Sequence, residues 1–260
     1  MIDSHIHLHQ YDQRTIGDNI QKWREEGIDH VVAVSTDLRT TYITLELKQK
    51  YGDFIFACAG FHPEQEPPQE SELIELFSII RENQDICAIG EVGLPYYERK
   101  RLLEKYSEET FIEILCEFLK LSSDLSLPVA LHAVYGEAEK VLHLLRKYQV
   151  KKAHFHWLKA PFSTVRQIIE NGYYVSVTPE VCYRLRDQKL AEQIPLNRLL
   201  LETDGPWPYK GPFENIKTTP IFIKEIGSQM AKLKRRPWSE VMKVTADNAK
   251  KLYYDNGGRT

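Results

Sequence analysis

The sequence predicts an α/β fold, a (β/α)8 barrel of the TIM type, formed as a single domain over residues 1–260. Three observations predict it. Eight short apolar runs punctuate the chain from end to end, stretches of helical period fall between them, and no linker, low-complexity tract or short repeat divides it. Strands this short and apolar, each followed by a helix, need a parallel sheet whose outer face is covered by helices. Eight such units close naturally into a barrel, and 260 residues is near the usual length of one.

In chain order the strands are read at 2–7, 29–34, 55–60, 86–92, 128–132, 152–156, 173–177 and 199–203. Between them lie helical patterns that include 15–26, 70–81, 107–125, 137–148 and 163–171. Two further patterns, 219–233 and 238–254, follow the eighth strand and are expected to complete the outer ring and cap one end. The proline-rich patch at 63–68 and the segment 205–212 read as loops.

Composition narrows the function classes. A chain that is 42% hydrophobic and 27% charged can bury a sizeable core, which sets disorder aside. No apolar run approaches the roughly 20 residues that span a bilayer. A net charge of −3 argues against coating nucleic acid by bulk electrostatics, while a local basic rim stays open. Met1 leads straight into Ile2-Asp3-Ser4-His5, so no secretory leader is expected and the protein is assigned to the cytoplasm. Cys58, Cys87, Cys116 and Cys182 form no CxxC pair and read as reduced thiols. Nothing in the sequence marks an obligate protein partner.

The chemistry concentrates at strand ends. His5 and His7 stand two apart in the first strand, so both imidazoles can reach one ion in the barrel mouth. His62 follows the third strand, Glu91 lies in the fourth, His132 ends the fifth, His156 ends the sixth, and Asp204 follows the eighth. In a barrel these ends converge on one face. His5, His7, Glu91, His132, His156 and Asp204 supply enough donors for two divalent cations with a carboxylate bridging them. Glu91 has no basic neighbour in Ala88-Ile89-Gly90-Glu91-Val92-Gly93, and a metal supplies the missing positive charge; Asp204 could instead cap the following turn. His154 shares a strand face with His156 but lies deeper, so it is read as a supporting or core histidine. His9, His30 and His143 fall outside the pattern and are read as surface or local hydrogen-bonding residues.

These residues resemble the TatD family of metal-dependent hydrolases, within the amidohydrolase superfamily. The resemblance is carried by Ile2-Asp3-Ser4-His5-Ile6-His7-Leu8, Gly60-Phe61-His62-Pro63, Gly90-Glu91-Val92-Gly93-Leu94, Pro128-Val129-Ala130-Leu131-His132, Phe155-His156 and Leu201-Glu202-Thr203-Asp204, in that order. It implies a barrel with His5, His7, Glu91 and Asp204 around one metal and Glu91, His132 and His156 around another. It implies for His62 a place near the substrate or at an additional metal position, and for the whole a metal-dependent phosphodiesterase of deoxyribonuclease type. The sequence departs from the family around the substrate: Pro95 stands where an acid is usual in Leu94-Pro95-Tyr96-Tyr97, Ala133-Val134-Tyr135 replaces an arginine-containing segment, His156-Trp157-Leu158-Lys159-Ala160 replaces His-Cys-Phe-Ser-Gly, and Asp204-Gly205-Pro206-Trp207 replaces Asp-Ala-Pro.

The expected mechanism has a metal-activated water attack phosphorus, with Asp204 as general base and Glu91 holding the metals together. The cations are expected to be zinc, magnesium or manganese, the ligand types fitting several metals. Candidate substrate residues are His62, Lys159, Tyr96 and Trp157; Tyr97, Trp207, Tyr209, Lys210 and the run Arg99-Lys100-Arg101 lie on loops of the same end. DNA or a small phosphorylated compound is the expected partner. A rival reading keeps the metals and hydrolyses an amide or ester of a small molecule; another makes the metals structural, against which so many donors leave room for water.

Overall fold

A computed structural model describes residues 1–254, and the last six residues of the span read as one domain lie outside it. The eight apolar runs are strands β1 (Ile2–Ile6), β2 (His30–Val34), β3 (Ile55–Ala59), β4 (Ile86–Gly93), β5 (Val129–His132), β6 (Ala153–Phe155), β7 (Tyr174–Val177) and β8 (Leu199–Leu201). Each pairs in parallel with the next, in chain order. The ring closes where Ile6 bridges Gly205 just beyond β8, with His7 N–H donating to Gly205 O at 2.8 Å and Asp204 N–H to His5 O at 2.9 Å.

The helices are α1 (Ile16–Glu25), α2 (Leu38–Tyr51), α3 (Glu70–Glu82), α4 (Arg99–Leu103), α5 (Glu108–Leu125), α6 (Gly136–Lys147), α7 (Phe162–Glu170), α8 (Leu185–Gln193), α9 (Ile223–Lys234) and α10 (Trp238–Tyr253). Side chains fix several starts: Asp37 Oδ1 accepts from Thr40 N–H at 2.7 Å while Thr40 Oγ1 accepts from Asp37 N–H, a reciprocal cap on α2. Sequence periodicity does not single out α2 and α8, because their buried faces are polar: α2 buries Thr41 and Thr44 beside Leu47, and α8 buries Asp187 beside Leu190 and Ala191. The pattern at 219–233 divides, since Pro220–Phe222 form a single tight turn before α9 begins. Among the described residues no helix is long and apolar enough to cross a membrane.

Strand alternation sorts the core into two layers. Val31, Ala33, Ile55, Ala57, Val129, Leu131, Phe155, Val175 and Leu201 belong to the large cluster between sheet and helices. Even-numbered Val32, Val34, Phe56, Cys58, Ala88, Ala130, Tyr174 and Leu200 form a second cluster in the barrel interior, joined by Leu252 and Tyr253 of α10. Going up the same strands, this inward series continues as His132, His154, His156 and Glu202.

Two bulges bring the remaining donors inside. Asp3 and Ile6 pair with Val31 and Ala33, so Ser4 and His5 together face the single residue Val32. Ile89 and Val92 pair with Val129 and Leu131, so Gly90 and Glu91 together face Ala130. Each extra residue reverses the alternation, and odd-numbered His5, His7 and Glu91 meet the even-numbered set. The second bulge needs glycine: a Cβ on Gly90, whose φ is 156°, would lie 2.7 Å from Ala130 Cβ.

Candidate metal centre

Glu91 stands at the centre, fully buried. Its two oxygens divide the surrounding imidazoles between them. Oε2 lies 3.2 Å from His5 Nε2 and 3.5 Å from His7 Nε2. Oε1 lies 2.9 Å from His132 Nδ1, 3.1 Å from His156 Nε2 and 3.3 Å from His62 Nε2. Asp204 Oδ1 completes the first half, 3.2 Å from His7 Nε2 and 3.6 Å from His5 Nε2.

The chain turns sharply to present these groups. β6 and β8 end earlier than their apolar runs suggest because the backbone enters the left-handed region at Trp157 (φ 39°) and Asp204 (φ 48°). Such conformations are held only where neighbours over-determine them. Trp157 N–H donates to Glu202 Oε1 at 2.8 Å and to Ser176 Oγ at 3.1 Å. Asp204 is pinned by its own N–H on His5 O and by Trp207 N–H, which donates to its carbonyl at 3.0 Å. Beneath it, Asp3 Oδ1 accepts from Thr203 N–H at 2.9 Å and from His5 N–H at 3.3 Å, tying β1 to the end of β8.

Burial pushes His5 below the ordinary imidazole value, with His156 adding to the fall, and pushes His62 down as well. Burial also opposes protonation of His7, His132 and His156, yet these rise: Asp204 holds the proton on His7, Glu64 and Glu91 on His132, Glu91 and Glu202 on His156. Burial likewise resists ionisation of Glu91, but His62, His156 and His5 keep its carboxyl well below the usual range. Glu91, Glu64 and Glu202, all held below the usual carboxylate range by the surrounding imidazoles, are thus ionised near neutrality and draw positive charge into the cluster.

The donors fit divalent cations. Two groups bonded tetrahedrally to one ion at zinc-like lengths stand about 3.4 Å apart, close to the separations among His5, His7, Glu91 Oε2 and Asp204. Asp204 Oδ1 is buried without a hydrogen-bond partner, an orphan that a cation resolves. His5, His7 and Asp204 form one group able to hold an ion; His62, Glu91 and His132 form another. His5, His156 and Glu202 form a third, although Glu202 Oε1 is engaged by Trp157 N–H and lies 3.3 Å from His156 Nδ1.

Above this floor opens a cavity of about 890 Å³, lined among others by His7, His62, His132, His156, Trp157, Lys159, Trp207, Tyr209 and Lys210. Of the four residues expected near substrate, His62, Trp157 and Lys159 therefore face it. Tyr96 does not line it: its ring stacks on Tyr135 at 4.6 Å, and Tyr97 takes the cavity-facing place. The reason is Glu64, whose carboxylate accepts the backbone N–H groups of Tyr96, Tyr97 and Glu98 at 2.7–2.9 Å and fixes how that loop turns. The run Arg99-Lys100-Arg101 opens α4 away from the cavity, with Arg99 paired to Glu108 and Glu137 and Arg101 to Glu98.

His154 is buried one step down, its Nδ1 2.7 Å from Tyr253 Oη. His30 meets Asp53 O, His143 is exposed, and half-buried His9 lies against His7, which with burial pushes it down to about 4. The four cysteines form no disulfide among the described residues. Sequence reading passed over Glu64, Glu202 and Asp3. An isolated acid in the apolar run Leu199-Leu200-Leu201-Glu202 was the available signal for Glu202; Glu64 gave none beyond standing two residues after His62.

A family model described as TatD related DNase matches residues 2–254. An uncharacterized metal-dependent hydrolase of Haemophilus influenzae is 35% identical over 97% of this chain and 99% of its own. Deoxyribonuclease TATDN3 of Homo sapiens is 29% identical over 97% of this chain and 94% of its own. Among solved structures, YJJV, a TatD homolog from Escherichia coli K12, superposes with a TM-score of 0.87 at 22% identity, over 98% of both chains. A histidine and carboxylate cluster at the open end of a (β/α)8 barrel and a family match over nearly the whole chain lead to one assignment: the chain belongs to the TatD family and is a metal-dependent hydrolase.

Proposed function

We propose that the protein hydrolyses phosphodiester bonds in DNA or a smaller phosphorylated compound, using two divalent cations and a water deprotonated by Asp204. The observation that carries this reading is the division of donors between the two oxygens of Glu91, one turned to His5 and His7, the other to His62, His132 and His156. One carboxylate serving two donor sets is the arrangement of a two-metal hydrolytic centre. Magnesium, manganese and zinc all suit mixed imidazole and carboxylate donors.

Bound there, the cations supply Lewis-acid polarisation and lower the pKa of the attacking water. The chain supplies the rest. Glu91 fixes the spacing of the two sets, with His5, His7 and Asp204 on one side and His132 and His156 on the other. Asp204, held in a left-handed turn with Oδ1 beside His7 and His5, accepts the proton of the attacking water. Lys159, Arg184 and Lys210 line the cavity above and favour an anionic substrate. The deoxyribonuclease named among the relatives supports the same chemistry.

The test is phosphodiesterase activity on single-stranded DNA and on a chromogenic phosphodiester, after chelation and re-addition of each metal. Activity should vanish on chelation, return with metal, and fall by on the order of 10²-fold or more in Asp204→Asn. Near-normal turnover in that variant removes Asp204 as the base. Silence from metal-loaded wild type on both substrates overturns phosphodiester hydrolysis in favour of amide or ester cleavage.

A further inference from the structure

Lys159 carries a charge that its surroundings leave unanswered. The residue is only 9% exposed, and Nζ donates to Tyr97 Oη at 2.9 Å while lying 4.2 Å from the centre of the Trp157 ring. Among the described residues no carboxylate pairs with it. Glu180, the acid that acts on it most strongly, is already engaged by Arg184 and Arg186, and Asp187 by Arg186. An ammonium buried with a phenol and an indole face for company is costly unless an anion arrives to meet it.

The backbone is arranged to keep it there. The strained turn at Trp157 swings the indole and the following lysine over the cavity, Trp157 Nε1 donates to Glu180 Oε2 at 3.2 Å, and Tyr135 N–H donates to the Lys159 carbonyl. On the other side Glu64 pins the loop that carries Tyr97. The ammonium is not part of the histidine floor: no ion pair joins it to Glu91 or Asp204, and it sits against two rings whose centres lie 6.1 Å from His132 and 6.4 Å from His156. Beside it, Trp157 contacts Trp207 at 5.9 Å and Tyr209 at 5.7 Å, an aromatic wall suited to a base. The cavity, about 890 Å³, is the size of a small-molecule site rather than of a long groove.

We propose that Lys159, with Tyr97 Oη and the Trp157 ring, forms a subsite for a phosphate one unit away from the bond that is hydrolysed, so that the substrate is the phosphorylated end of a nucleotide chain. The inference rests on the phosphodiesterase reading and adds to it the part of the substrate that is recognised. It selects short or single-stranded ends carrying a terminal phosphate over the same sequence without one.

The test compares three thymidine dinucleotides, TpT, pTpT and TpTp, with metal-loaded wild type, Lys159→Met and Lys159→Arg. Wild type should prefer one phosphorylated dimer by about tenfold or more in kcat/KM, mostly through KM, Lys159→Met should bring that ratio near one, and Lys159→Arg should keep most of it. A wild-type ratio near one overturns the proposal. So does a Lys159→Met variant that lowers all three substrates alike, which places the lysine on the scissile phosphate instead. If wild type cleaves none of the three, the phosphodiesterase reading stands or falls on single-stranded DNA and the chromogenic phosphodiester, and calorimetry with inorganic phosphate on the metal-loaded protein judges the subsite alone. One more equivalent bound by wild type and Lys159→Arg than by Lys159→Met sustains the subsite; equal stoichiometry overturns it.

Discussion

The floor of the cavity and its rim are both polar, but they are built by different means. Every donor of the floor except His62 is under one-tenth exposed, lies on a strand or within three residues of its end, and meets Glu91 directly or through one neighbour. The rim rests on loops, and part of its aromatic surface stands in water: Trp207 is 56% exposed and Tyr97 53%, while Trp157 is half-buried and Tyr209 buried. The floor cannot change one member without leaving a buried charge uncompensated, whereas the rim can exchange side chains at little cost to the fold. Selection for a new substrate can therefore rework the rim while the floor stays constant.

The sharpest way to break that comparison is at the centre of the floor. Glu91→Gln keeps the shape and removes the charge that five imidazoles share, so turnover should fall on the order of 10³-fold or more, with loss of bound metal measured by elemental analysis. A variant that keeps full metal and more than about a tenth of the activity shows that Glu91 does not link the two donor sets. Next in size is Glu202→Gln. Glu202 touches no substrate; it is a positioning residue that orients His156 through Nδ1 and holds the Trp157 turn through its N–H. Metal affinity should drop by about 10–100-fold, and excess metal should restore much of the activity, a recovery that a purely structural defect would not give.

The same contrast explains what could be read in the sequence. Eight apolar runs and the strand-end histidines were legible because strand alternation and barrel geometry fix where such residues point. The partners that hold them were not, since they are remote in the chain: Glu202 lies 46 residues from His156, Glu64 lies 68 from His132, and Asp3 reaches Thr203 across 200. The bulges at Ser4-His5 and Gly90-Glu91 also escaped notice; strict alternation within β1 and β4 would not by itself put His5 and Glu91 in the interior with the even-numbered residues. On the rim the choice between Tyr96 and Tyr97 had no periodic rule behind it. The three amides captured by Glu64, the stack of Tyr96 on Tyr135 and the bond from Lys159 Nζ to Tyr97 Oη place the two rings, and all of these partners are remote in the chain.

The smallest effect should come from the rim itself. Trp207 reaches the rest of the site through its ring contact with Trp157 and through main-chain groups, its N–H on Asp204 O and its carbonyl with Thr218 Oγ1. Trp207→Ala keeps both backbone contacts and deletes a ring that is mostly in water, so the melting temperature should move by no more than about a degree or two. A base stacked on that ring contributes about 1 kcal/mol at such an exposed position, at the low end for aromatic stacking, which raises KM by roughly fivefold. Because the ring packs on Trp157 and not on the imidazoles of the floor, kcat should stay within about twofold. A fall in kcat as large as that of Glu202→Gln would mean that the loop carrying Trp207 sets the geometry of Asp204, and the division between a fixed floor and an exchangeable rim would then have to be drawn outside residues 205–212.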